Sequence, residues 1–164
     1  MPCKDLKHVT IYTDGGCRPN PGQGGYGVVL LYGKYRKELS GGFRRTTNNR
    51  MEIMAAIKGL QALTEPCRVT VWTDSQYLAK AIENGWVRRW KQKGWMRTKT
   101  ARARNVDLWQ ELLALLEQHN VQFRWVRGHA DDKHNNRCDE LASRGRRQRD
   151  LEEDQGYEAE PPTE

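Results

Sequence analysis

The chain has 164 residues, of which 37% are hydrophobic, enough for one compact core and too few for two. Its formal net charge is +7, but Gln148 to Glu164 holds seven acids against one arginine, leaving 27 basic and 14 acidic side chains, or +13, on residues 1–147. Such a body argues for a polyanionic partner, and no membrane span is expected, because the apolar runs, such as Val28 to Leu31, fall far short of about 20 residues. Cys3, Cys17, Cys67 and Cys138 are scattered with no C-x-x-C pair, which fits neither a disulfide scaffold nor a zinc ribbon and points to a reducing cytoplasm.

In chain order, Val9 to Thr13 alternates branched and polar residues and stops at Asp14-Gly-Gly, a strand running into a turn. Gly24 to Tyr32 and Tyr35 to Phe43 read as two more strands around Gly33-Lys34. From Thr47 to Leu63 the period lengthens, with Ile53, Ile57, Leu60 and Leu63 at helical spacing and Thr47 or Asn48 able to cap the start. Val69 to Thr73 is a fourth strand ending at Asp74, and a helix from Ser75 to Asn84 follows. Trp86 to Arg104 is basic and rich in tryptophan. Val106 to Gln118 is an amphipathic helix bearing Leu108, Trp109, Leu112, Leu115 and Leu116. In a fifth strand Val121, Phe123 and Trp125 face one way, up to Gly128-His129. A last helix, Asn136 to Arg146, turns Cys138, Leu141, Ala142 and Gly145 to its buried stripe. The order βββαβαααβα predicts an α/β fold, a five-stranded mixed β-sheet flanked by helices on both faces. Residues 1–147 form the domain, and 148–164, acidic and with Pro161 and Pro162, read as a flexible tail.

Asp14 and Asp74 each end a strand in matching contexts, Tyr-Thr-Asp-Gly and Trp-Thr-Asp-Ser. Parallel neighbouring strands would bring both to one sheet edge, where open α/β sheets bind ligands; either alone reads equally as a turn residue. Glu52 lies near the start of an apolar helix, where a carboxylate also favours the helix dipole. Asp139 follows the buried Cys138 and by itself passes as a surface acid. If the four meet, two unpaired carboxylates about 4 Å apart repel by roughly 4 kcal/mol at an effective dielectric near 20, so the cluster must hold a proton or a cation. Oxygen-only ligands favour Mg²⁺, with Mn²⁺ as a substitute, over zinc. Two such ions can activate water and stabilise the leaving oxygen of a phosphodiester. His129, after a glycine at a strand end, suits proton shuttling or product release, although a lone loop histidine is more often incidental. Zinc on His129, His134 and Cys138 lacks a second nearby cysteine.

Between Trp86 and Arg104 lie eight lysines and arginines, no acids, and Trp86, Trp90 and Trp95. A solvated face explains charges alone; interleaved tryptophans favour nucleic acid. Asn20, Asn48, Asn49 and Gln76 each can cap a turn, and together can read 2′-hydroxyls and base edges in a wide minor groove.

From Val9 to Arg144 these residues resemble a known family. Thr13-Asp-Gly-Gly-Cys-Arg-Pro-Asn-Pro-Gly22, Gly24-Gly-Tyr-Gly27, Thr46-Thr-Asn-Asn-Arg-Met-Glu52, Thr73-Asp-Ser-Gln76, Asn105-Val-Asp-Leu-Trp109, Val126-Arg-Gly-His129 and Asn135-Asn-Arg-Cys-Asp-Glu-Leu-Ala142 are similar to the motifs of type 1 ribonuclease H, of the short stand-alone bacterial kind. The resemblance implies a ribonuclease H-like fold and an endonuclease that hydrolyses the RNA strand of RNA–DNA hybrids, leaving 5′-phosphate and 3′-hydroxyl ends. It implies Asp14, Glu52, Asp74 and Asp139 as catalytic residues and ligands of two metal ions, with His129 as a mobile catalytic histidine. It further implies Asn20, Asn48, Asn49 and Gln76 as minor-groove contacts, Arg45 and Thr47 near a DNA phosphate, and Trp86 and Trp90 in a substrate-gripping handle. Gly16 stands where the family commonly has serine, and Asp131-Asp-Lys-His134 is an unusual form of the loop after His129. The expected protein is a cytoplasmic monomer. Its rivals are a hybrid-binding module without catalysis, and another nuclease on this fold, such as a resolvase or transposase.

Overall fold

The computed structural model describes residues 6–127 and 132–157. Ten elements follow one another: β1 (Lys7–Arg18), β2 (Gly22–Tyr32), β3 (Tyr35–Thr46), α1 (Asn48–Gln61), β4 (Cys67–Thr73), α2 (Gln76–Glu83), α3 (Trp86–Gln92), α4 (Val106–Gln118), β5 (Asn120–Trp125) and α5 (Lys133–Arg146). The strands form one sheet in the order β3-β2-β1-β4-β5. The β1–β2 and β2–β3 pairs are antiparallel, joined by short turns, while β1–β4 and β4–β5 are parallel, joined across helices. The expected mixed sheet and element order are both present.

Each face of the sheet is covered because each strand alternates its apolar residues. Ile11, Val28, Leu30, Val69, Val71 and Phe123 join Ile53, Ile57 and Leu60 of α1 and Leu108, Trp109 and Leu112 of α4 in the larger core. Val29, with Tyr12 and Leu31 beside it, packs on the other face under Cys138 and Leu141 of α5. Each fully buried aliphatic side chain contributes about 1.5–3 kcal/mol, so the α1 side carries most of the stability.

Three sequence expectations need correction. β1 does not stop at Asp14: it stays paired with β2 as far as Arg18, and only its pairing with β4 ends at Thr13 opposite Thr73. Trp125, at the end of the edge strand β5, is 43% exposed. Helix α5 begins at Lys133, three residues early, because the Asp132 side chain accepts from the His134 and Asn135 amides and caps it. The flexible-tail reading fails for residues 151–157. Leu151 and Asp154 are buried, the Arg44 amide donates to the Glu152 carbonyl (2.8 Å), and the Arg44 guanidinium donates to that of Leu151 (2.8 Å). Asp154 is not solvated because a buried cation, Arg50, takes it, while Glu152 and Glu153 stay exposed.

Candidate active site

Backbone pairing alone explains why acids distant in sequence meet. Thr13 and Thr73 are opposite one another on parallel strands, so Asp14 and Asp74 leave the same edge side by side. The Thr13 hydroxyl donates to the Trp72 carbonyl (3.1 Å) and ties the two strands just below. Beyond Asp74, the Ser75 amide donates to the Thr73 hydroxyl (3.0 Å) and the Ser75 hydroxyl caps α2 by accepting from the Leu78 amide (3.1 Å). The Trp125 indole donates to the Asp74 carbonyl (3.1 Å), which gives that exposed tryptophan a task at the site.

Two glycines bring the remaining acids in. A Cβ on Gly15 would collide with the Met51 carbonyl group and the Glu52 amide, so α1 rests directly on β1 and sets Glu52 against Asp14. Opposite Asp14 on β2 stands Gly27, where a Cβ would strike the Cys138 carbonyl. Helix α5 therefore crosses the sheet at that point, and the next residue, Asp139, reaches Asp14. A side chain at either position would push a carboxylate away from the others.

Ligand oxygens of Asp14, Glu52 and Asp74 lie within 4.8 Å of one another. Asp14 and Glu52 are each 8% exposed, Asp74 is half-buried, and Asp139 sits exposed at the rim. No acid occupies the first turn of α1, so the helix dipole does not account for Glu52. Burial, then the charges of Asp74 and Asp139, push the Asp14 carboxyl up to about 8. Burial, then Asp14 and Asp74, raise Glu52 well above the carboxylate range. Asp74 is raised by burial although hydrogen bonds with Glu52 and Asp14 pull it the other way. Glu52 Oε2 and Asp74 Oδ1 are buried with no hydrogen-bond partner among the described residues. Clustered carboxylates with orphaned oxygens, and no nitrogen or sulfur donor among them in the described residues, fit a hard divalent cation.

The acids floor a cleft of about 480 Å³ whose walls include Gly16, Cys17, Asn48, Asn49 and Ser75. The Asn48 side-chain carbonyl accepts from the Cys17 amide (2.8 Å), and the Asn48 amide donates to the side-chain carbonyl of Asn20 (3.2 Å), so two of the predicted amides are interlocked. Thr47 caps α1 by accepting from the Arg50 amide (3.2 Å). Arg45, Asn49 and Gln76 are exposed nearby in the chain, Gln76 at the start of α2. His129 lies outside the described residues. His134 lies on the Tyr12 ring (4.8 Å) and Cys138 is in the core, so neither faces a zinc site. Trp86, Trp90 and Trp95 pack partly against the larger core, and Trp90 meets Trp109 edge-on. Packing thus uses part of the aromatic surface expected to face a ligand.

Sequence reading missed Arg18, Ser143 and Arg146, which also line the cleft. The signal was available for two of them, since Asp139, Ser143 and Arg146 recur at helical spacing on α5 and share its face. Arg18 and Arg146 bring positive charge to a cleft whose floor is acidic.

Residues 6–147 match the family model described as RNase H. The chain is 60% identical over 151 residues to a protein named Ribonuclease H from Syntrophus aciditrophicus, covering 92% of this chain and 87% of the relative. Its structure is similar to LC9-RNase H1, a type 1 RNase H with the type 2 active-site motif, with a TM-score of 0.77 and 32% identity over 86% of this chain and 72% of that one. It also shares its fold with LC11-RNase H1, solved in complex with RNA/DNA hybrid, at a TM-score of 0.63 and 24% identity over 83% of this chain and 94% of that one. A sheet edge that gathers buried acids, matched along nearly the whole chain, places this protein in the ribonuclease H family.

Proposed function

We propose that this protein is an endonuclease that hydrolyses the RNA strand of RNA–DNA hybrids with two Mg²⁺ ions, which Mn²⁺ can replace, held by Asp14, Glu52, Asp74 and Asp139. The carrying observation is the convergence of Asp14, Glu52 and Asp74 with two buried oxygens left unpartnered. When bound, such ions supply an activated water and charge stabilisation at the leaving oxygen, which yields 5′-phosphate and 3′-hydroxyl products. The protein's own part is positional. The interlocked Asn20 and Asn48, with Asn49 and Gln76, are suited to read 2′-hydroxyls and base edges in the minor groove. Arg45 and Thr47 hold a DNA phosphate, and Trp86 and Trp90 with their basic neighbours grip the flanking duplex. His129 serves proton transfer and product release. Residues 1–147 are the catalytic domain, acting as a monomer in the cytoplasm; no described helix is long and apolar enough to cross a membrane.

A hybrid-binding module without catalysis would have no use for buried acids that repel its ligand, and the cleft amides disfavour a resolvase or transposase. The test is a labelled hybrid incubated with Mg²⁺, then with chelator, beside plain duplex DNA. RNA should be cut only in the hybrid and only with metal. Intact RNA under both conditions would leave the binding module, and cutting of duplex DNA would favour the other nucleases.

A further inference from the structure

The docked C-terminal segment ends on the turn that presents Glu52. Glu152 bridges Phe43 beside β3, Leu151 is buried, and the chain then drops Asp154 into the protein. Asp154 Oδ2 accepts from the Thr46 hydroxyl (2.7 Å) and from Arg50 Nε (2.7 Å), and Oδ1 accepts from Arg50 Nη2 (2.9 Å). Arg50 is 3% exposed, and its other edge donates to both oxygens of Asp107 at the start of α4 (2.9 and 2.7 Å). One carboxylate therefore grips residues 46 and 50, between which lie the capping Thr47 and the amides Asn48 and Asn49. Glu52 follows two residues later. Planar guanidinium–carboxylate forks fix orientation as well as distance, so this junction sets where the first turn of α1 sits against Gly15.

We infer that residues 151–157 are a positioning strap, in which Asp154, through Arg50, holds Glu52 and the cleft amides in place for metal and substrate. The inference rests on reading Asp14, Glu52 and Asp74 as metal ligands. It makes Asp154 and Arg50 positioning residues, since neither belongs to the acid cluster itself. Undocking the strap would leave every ligand present but let the turn that carries Glu52 shift.

The test uses full-length Asp154→Asn and Leu151→Ala, with Leu116→Ala on α4 as a control for general destabilisation. Each is kept well below its melting temperature. The readouts are Mn²⁺ affinity by calorimetry and hydrogen exchange of the amides from Arg50 to Ile53. Both strap variants should bind Mn²⁺ about fivefold or more weakly, the scale of a modest coupling between sites, and exchange faster at those amides, while the control keeps both values. Asp154→Glu should recover part of the affinity. Unchanged Mn²⁺ affinity and exchange in the folded strap variants, or an equal loss in the control, would overturn the strap. If Asp154→Asn does not fold, Leu151→Ala decides by the same readouts. Wild type that binds Mn²⁺ yet leaves hybrids intact would instead sink the nuclease reading.

Discussion

Two groups of acids flank the start of α1, one around the buried Arg50 and one at the sheet edge, and they are built on opposite principles. In one, Asp154 and Asp107 close on Arg50, so the protein carries its own counter-charge. Burial would raise the Asp107 carboxyl, but the hydrogen bonds and charge of Arg50 draw it below its ordinary value. In the other, Asp14, Glu52 and Asp74 crowd together with no basic side chain among them in the described residues, and all three are raised. Two carboxylates and one guanidinium make a structural rivet. Three carboxylates that lack one make a socket, because their mutual repulsion is relieved only by protons or by a cation from outside.

The sharpest way to break this contrast is Asp14→Asn. Cleavage should fall to the level of buffer, since one ligand is lost. Yet in chelator the variant should melt higher than wild type, by about 2–4 °C for each kcal/mol of repulsion released in a chain of this size. The same origin gives a pH dependence. The folded Asp14 carboxyl, at about 8, lies above its ordinary value of 3.8, so the folded state binds the extra proton between them. Metal-free stability should therefore decline as pH rises through that window and level off above about 8. Saturating Mg²⁺ should flatten the decline. An equal or lower melting temperature for Asp14→Asn in chelator, or a metal-free stability that climbs over that range, would refute the crowded socket.

Arg50→Ala tests the other group. Removing the cation strands Asp154 in a buried place, and breaking such a pair costs about 3–5 kcal/mol. Denaturant unfolding should show that loss with or without Mg²⁺, in contrast to the metal-dependent behaviour of Asp14→Asn. The smallest effect is expected at Gly16, where a Cβ would come 3.4 Å from the Asn48 side-chain oxygen, an ordinary contact. Gly16→Ser should change stability by no more than about 0.5 kcal/mol and leave kcat within about twofold, with any effect on KM through Asn48. A collapse of activity would mean that this turn is under a constraint the packing does not reveal.

Much of the site was legible because it is carried by local pattern. Asp14 and Asp74 announced themselves by their matching contexts after Thr13 and Thr73, and the helical spacing that turned Cys138 inward placed Asp139 beside the buried stripe. Local pattern also misled where a neighbour intervened. The acidic stretch after Gln148 has the composition of a solvated tail, and composition cannot register one buried arginine about a hundred residues away. The interleaved tryptophans read as ligand-facing, yet Trp86, Trp90 and Trp95 are partly drawn into the core because α3 lies against α2 and Trp109. Asp132 was seen only as part of an unusual loop, when its position two residues before His134 marks a helix cap.

What the amino-acid order determined by itself is the period of each element, the basic body and the identity of four acids in chemically telling contexts, since these depend on near neighbours and on simple charge. The tertiary structure decided which acids become a socket and which a rivet. That choice follows from cross-strand register at Thr13 and Gly27, from the close approach that Gly15 permits, and from where the guanidinium of Arg50 comes to rest. A carboxylate's role depends on the charge within a few ångströms of it, and only the folded chain brings that charge there.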